Sequence, residues 1–306
     1  MIAHLLQASL RQATSLLAVS ALAFCVVAQM PADPVEIAMR AWNLPPDPDT
    51  IARLRMEWGL DRPLVLRWLS WLGGFVTGDW GLSFRTGAPV RDEFLSRLPL
   101  SLGLGAAALA LAVILAIPLG FAAALRPNGW ADRFGRGLVV VVQAVPSFWL
   151  GLVLIWLLAA ELRLIRPFSG GPVILAMAAV LIALPPMAMM ARVLRRELLA
   201  STTQPWFRTA IAKGLSQSAA LRRHSARAGA YALLAALRSE IGWMLGTTAT
   251  LEVLFGLPGV SQFVLQSVPA RDYGVLLAYV MTVACLMALA NLVITLILQL
   301  LDPRAR

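Results

Sequence analysis

Charge is what this sequence has least of. Only 14% of its 306 residues are Asp, Glu, Lys or Arg, against about 25% in an ordinary soluble domain, and the mean hydropathy is +0.75. Such a chain needs lipid as its solvent. Cysteine is nearly absent too. Cys25 and Cys285 sit in apolar runs near opposite ends of the chain, which excludes a disulfide framework and a thiolate metal site. His4 and His224 are the only histidines, so no imidazole metal site across a membrane is encoded. There is no Gly-x-x-x-x-Gly-Lys-Ser/Thr phosphate loop, and Lys213, the only lysine, lacks the glycine spacing that such a loop requires. The chain therefore has no means of its own to bind and hydrolyse ATP, and an enzymatic reading fails. Basic residues, by contrast, number 26 against 16 acids, a formal charge of +10, which raises a polyanion such as nucleic acid as a partner.

The placement of those basic residues gives a different answer. Uncharged runs cover residues 12–32, 98–125, 137–160, 167–191 and 273–301, each long enough to cross about 30 Å of hydrocarbon as a helix. A sixth segment, 230–255, is apolar but carries Arg238, Glu240 and Glu252, so loop charge has to decide its status. Residues 192–227 hold Arg192, Arg195, Arg196, Arg208, Lys213, Arg222, Arg223 and Arg227 against the single acid Glu197, which marks this loop as cytoplasmic. The loop with Arg126, Arg133 and Arg136 lies two spans earlier and the basic end with Arg304 and Arg306 lies two spans later, so 230–255 is a genuine fifth span. The arginines thus serve topology, and no nucleic-acid partner is expected. The predicted fold is an all-α polytopic membrane protein with six transmembrane helices and both termini cytoplasmic, in the inner membrane.

Residues 33–97 form the one long segment outside the spans. Acids and bases are nearly balanced there, and Trp42, Trp58, Trp68, Trp71 and Trp80 are half of the chain's ten tryptophans. Long loops are exempt from the charge rule, and tryptophan favours the headgroup level, so we expect an external, interfacial cap. Asp49 is a candidate cap for a short helix in which Ile51, Leu54 and Trp58 share a face before Gly59 ends it. The first apolar run also has the length and flanks of a cleaved signal peptide. An intact first span is the reading that places Trp42 to Trp80 against the membrane.

Within the largest cytoplasmic loop, the stretch from Gln204 to Leu215 predicts a short helix bounded by Gly214 and flanked by arginines. That shape suits docking into a groove on a soluble partner, with Ala210, Ala212 and Gly214 small enough for close backbone approach. The plainer reading is a basic juxtamembrane loop that serves only topology and anionic lipid. Glu240 and Glu252 are candidates for the pathway or a gate, because a carboxylate at membrane depth usually faces a cavity or a partner; pairing of Glu240 with Arg238 is the simpler alternative. Met187 and Met190, with Met189, follow Pro185-Pro186 and offer soft ligands or a pliable pore lining, or simply adaptable packing beside a proline break.

The motifs here point further. Arg208-Thr209-Ala210-x-Ala212-Lys213-Gly214-Leu215 followed by Arg223-His224 resembles the cytoplasmic coupling loop of binding-protein-dependent ABC importer permeases of the nickel, dipeptide and oligopeptide class. In order along the chain, Gly78-Asp79-Trp80-Gly81-x-Ser83, Thr86-Gly87-x-Pro89-Val90, Arg97-Leu98-Pro99, Pro146-Ser147-Phe148-Trp149-Leu150, Glu252-x-x-Phe255-x-x-Pro258-Gly259, Arg271-Asp272-Tyr273 and Leu301-Asp302-Pro303-Arg304 resemble the same family. Asn43-Leu44-Pro45-Pro46 and Gly59-Leu60-Asp61-Arg62-Pro63-Leu64 are most similar to the first permease subunit of nickel importers, so nickel, free or chelated, is the expected cargo, with a di- or oligopeptide as the alternative. The chain departs from the pattern where Ala228-Gly229-Ala230-Tyr231-Ala232 replaces an Asn-Ala-Leu-Ile-Pro-like stretch, at Thr209, where an acid is usual, and at Arg238, where a small residue is usual.

The resemblance implies a type I importer permease fold with a cytoplasmic coupling helix, formed by Arg208, Thr209, Ala210, Ala212, Lys213, Gly214 and Leu215. It also implies a second permease subunit, two cytoplasmic ATPase subunits that bind the ATP, and an external substrate-binding protein, with no cofactor on this chain. A transporter or channel working alone would need a coupling-ion site or filter and an inverted repeat. A scaffold would not need a docking loop.

Overall fold

Helices and the residues that break them account for the architecture of the computed structural model, which describes residues 2–30, 33–43, 45, 47–166, 168 and 170–301. Leu44, Pro46 and Asp302 to Arg304 of the motifs above, and the ends of two expected spans at residues 31–32 and 167, lie outside the described residues. The helices are α1 (Ile2–Ala28), α2 (Pro34–Ala41), α3 (Pro48–Glu57), α4 (Leu64–Thr77), α5 (Val90–Leu125), α6 (Trp130–Ala144), α7 (Ser147–Ile155), α8 (Pro172–Thr202), α9 (Pro205–Ala212), α10 (Gln217–Ala220), α11 (Ala226–Phe255), α12 (Val260–Ser267) and α13 (Tyr273–Leu301). Among the described residues the only β pairing is an isolated bridge between Leu82 and Pro89.

Four helical stretches are long and apolar enough to cross a membrane: Ser9–Ala28, Val90–Leu125, Pro172–Thr202 and Tyr273–Leu301. Two broken pairs, α6 with α7 and the run Gln217–Phe255 with α12, bring the number up to six when each bent pair is counted as one span. The third span is therefore not the straight helix expected over 137–160. It turns by 91° between α6 and α7, because Pro146 has no N–H to donate and forces the residue before it out of the helical region. Val145 sits accordingly at φ −110°, ψ 117°.

The other expected ends shift for legible reasons. Helix α8 runs past residue 191 to Thr202, since Leu194 and Leu198 continue an apolar i, i+4 stripe and both are buried. Helix α5 starts at Val90, eight positions before the uncharged run, with Arg97 paired to Glu93 one turn back. Where the family's proline is missing, α10 passes through a π-helical turn, Leu221–Ser225, into α11 without a break. The interfacial helix α3 is capped by Asp47, not Asp49: the Asp47 carboxylate accepts the Thr50 N–H at 3.0 Å.

The chain divides into two compact units, Met1–Ser101 with Pro258–Leu289, and Leu102–Leu257 with Ala290–Arg306. In the first, Phe24 and Val27 of α1 pack with Leu276 and Leu277 of α13 and with Trp68 and Trp71 of α4, and the Trp68 indole donates to Ser20 Oγ at 3.2 Å. In the second, α8 is the hub against which α6, α7 and α11 pack. A Cβ on Gly120 of α5 would lie 2.8 Å from the Ala191 carbonyl oxygen, so only glycine lets α5 approach α8 this closely.

Candidate functional site

Helix α9 has two sides. Phe207 and Ala210 are buried, in a cluster with Ala124 of α5, Leu194 and Leu198 of α8, Ala220 and Leu221, and Leu215 packs at its edge. Trp206, Arg208, Thr209, Ile211, Ala212 and Lys213 lie on the exposed side. The small size of Ala210 thus serves the chain's own packing, contrary to the expectation that it would meet a partner. At Gly214 a Cβ would meet nothing within 4 Å, but its φ is +88°. The Gly214 N–H bonds the Ile211 carbonyl at 2.9 Å and the Leu215 N–H bonds the Ala210 carbonyl at 3.2 Å, which is the hydrogen-bond pair that ends a helix on a left-handed residue. Gly214→Ala is therefore expected to destabilise the loop by about 1–2 kcal/mol, read as a lower unfolding temperature of the purified protein, with Gly214→Asn recovering most of the loss. Equal stability of the alanine variant and the wild type would refute this role.

A feature that the loop charges did not reveal joins α6 to α8. Asp132, at the start of α6, is completely buried and accepts hydrogen bonds from Arg195 of α8 at 2.9 Å and from the Asn128 N–H at 2.8 Å, with Arg136 at 3.7 Å. The Arg195 guanidinium and the Asn128 N–H thus offset the cost of burying this carboxylate. The available signal was an acid in the first turn of a helix. Its partner is 63 positions away.

At the break in the third span a cavity of about 440 Å³ opens among Gln143 of α6, Ser147 and Phe148 of α7, Pro185 of α8, and Trp243, Thr247 and Thr250 of α11. No residue lining it carries a charge. Interrupted helix at membrane depth is tolerated only where protein covers it or where it lines a cavity. The Gln143 amide and the Ser147, Thr247 and Thr250 hydroxyl side chains thus line one otherwise apolar space.

The candidate pathway residues are placed as follows. Glu240, half-buried, lies one turn before Trp243 on the stripe that continues through Thr247 and Thr250. Its simpler alternative fails, because Arg238 donates to Asn291 Oδ1 at 3.0 Å and no ion pair joins it to Glu240 among the described residues. Glu252 is fully buried, five positions beyond the cavity-lining Thr247. Met187 and Met190 are buried in α8 rather than lining the cavity, whereas Met189 Sδ accepts from the Gln143 amide at 3.7 Å. Among the described residues no three of His, Cys, Asp and Glu converge as metal ligands would.

In the other unit, two of the motifs meet. Asp272 is fully buried and accepts from the Ser83 hydroxyl, from the Arg85 N–H at 3.4 Å and from the Val275 N–H at 3.4 Å. Burial pushes its carboxyl above the ordinary value despite these donors. It ties the loop after α4 to the start of α13.

Comparison with known proteins agrees with this geometry. Residues 116–306 match the family described as the binding-protein-dependent transport system inner membrane component, and residues 1–105 match the N-terminal part of that membrane component. The chain is 29% identical over 317 residues to the oligopeptide transport system permease protein AppB of Bacillus subtilis, covering 99% of each. It is 27% identical over 321 residues to the dipeptide transport system permease protein DppB of Escherichia coli K12, covering 94% of each. A solved structure titled as an amino acid ABC transporter with histidines is 18% identical, with a TM-score of 0.50 over 70% of this chain and 94% of that one, which supports the fold alone. The chain belongs to the binding-protein-dependent transport system inner membrane component family, as an ABC permease membrane subunit of type I importer fold and not an enzyme.

Proposed function

We propose that this chain forms half of the translocation pathway of a peptide importer. The observation that carries the substrate class is the cavity at the broken third span, whose lining side chains include hydroxyls and one amide but no carboxylate or imidazole. Amide and hydroxyl donors and acceptors match a peptide backbone, whereas a divalent transition metal seeks imidazole, thiolate or carboxylate. The names of AppB and DppB support the same alternative over the nickel reading drawn from Asn43 to Pro46 and Gly59 to Leu64. A second permease subunit supplies the other half. Two ATPase subunits bind ATP and dock on the exposed side of α9, a binding protein delivers peptide from the opposite face, and this chain carries no cofactor. Both termini and residues 192–227 are cytoplasmic, as the loop arginines require.

The test uses the permease purified with its partner subunits in vesicles. ATP on the face that holds α9 should drive labelled di- or oligopeptide across the membrane to that face. Nickel uptake that excess peptide fails to inhibit would overturn the substrate class. Labelling of a cysteine placed at Gln217 from the opposite face would overturn the sidedness.

A further inference from the structure

A second cavity, of about 380 Å³, lies in the unit formed by residues 1–101 and 258–289. It is closed on one side by the last turns of the α1 span and the first turn of α13, so it sits where two spans end. Its third wall is α4, whose Leu64, Val65, Leu66, Leu69 and Val76 are each at least 40% exposed. An apolar face of that kind is stable in the plane of the headgroup–acyl boundary. The mouth of the cavity is therefore at headgroup depth, where phospholipid is the solute at highest concentration.

The lining has two parts. Trp58, Trp71 and Phe84 contribute a rigid aromatic wall, with Trp58 stacked on Phe84 at 4.2 Å between ring centroids and Trp71 against Phe24 at 6.1 Å. Glu57, Arg62 and Arg67 supply charge. Among the described residues none of the three is in an ion pair, and Arg67 is held with its guanidinium 5.8 Å from the Phe24 ring. Two guanidinium groups and one carboxylate around one space complement a ligand with a single anionic and a single cationic group.

We propose that this cavity binds a phospholipid with a primary-amine headgroup, its phosphate on Arg62 and Arg67, its ammonium on Glu57, and the glycerol end of its acyl chains against the tryptophans. A volume near the low end for ligand pockets holds the headgroup and leaves the chains in the bilayer.

The experiment is native mass spectrometry of the complete permease complex, supplied with equal amounts of phosphatidylethanolamine, phosphatidylglycerol and phosphatidylcholine of one acyl composition. The wild type should retain phosphatidylethanolamine above the other two. The Arg62→Gln/Arg67→Gln variant should lose retention of all three, by about fivefold per arginine removed. Glu57→Gln should keep phosphatidylglycerol and lose the preference for the amine. Equal retention of the three lipids by the wild type, unchanged retention by the double arginine variant, or displacement of the lipid by transported peptide would each overturn the assignment. All three charged positions are at least partly exposed, so assembly of the complex serves as the folding control.

Discussion

With Ile211 replaced by aspartate, the purified permease is expected to lose its ATPase subunits, and ATP-driven uptake with them, while reaching the membrane at the wild-type level. Ile211 is 41% exposed and Trp206 42% exposed on the outer side of α9, while Phe207 and Ala210 on the inner side are 5% and 6% exposed. An outer-side change therefore leaves the helix seated. A carboxylate at the centre of an apolar contact loses its hydration without gaining a partner, and central interface residues of this kind typically contribute 2 kcal/mol or more, about thirtyfold in affinity. Co-purification of the ATPase subunits and uptake should fall together by at least that factor. Ala210→Glu makes the opposite comparison, because its carboxylate would enter the cluster of Leu194, Leu198 and Leu221 and reduce the yield of folded protein. Undiminished co-purification of ATPase with well-expressed Ile211→Asp would place the docking surface elsewhere.

What the sequence made legible follows the physics that each signal carries. The helix Tyr273–Leu301 begins where the uncharged run begins, because Asp272 both bounds the run and caps the helix through the Val275 N–H. Helix α9 was readable from Pro205 at its start and Gly214 at its end, and Gly214 is present for a backbone reason that spacing alone does not distinguish from close packing. Hydropathy is blind to the turn in the third span, since Val145 and Pro146 are as apolar as their neighbours while only the proline ring dictates the backbone. The start of α5 was missed for the converse reason. Arg91, Asp92, Glu93 and Arg97 read as a loop by charge, although charged residues one turn apart are at home on a helix that has left the hydrocarbon. Residues 204–215 were legible as a short helix, but which of them face outward is set by α5 and α8.

The largest loss of stability is expected at Asp132, which the loop-charge argument passed over in favour of its arginine neighbours. Asp132→Ala removes the one carboxylate that Arg195, the Asn128 N–H and Arg136 share, and the guanidinium left against the packed face of α8 has no substitute. Breaking a buried pair from one side costs about 3–5 kcal/mol. The Arg195 side chain keeps 25% of its exposure, so the lower end applies, roughly 6–12 °C in unfolding temperature. Removing both charges in Asp132→Ala/Arg195→Met should restore much of it, since an apolar pair of similar volume needs no partner. An Asp132→Ala protein as stable as the wild type at neutral pH would show that α6 is not anchored to α8 by this charge.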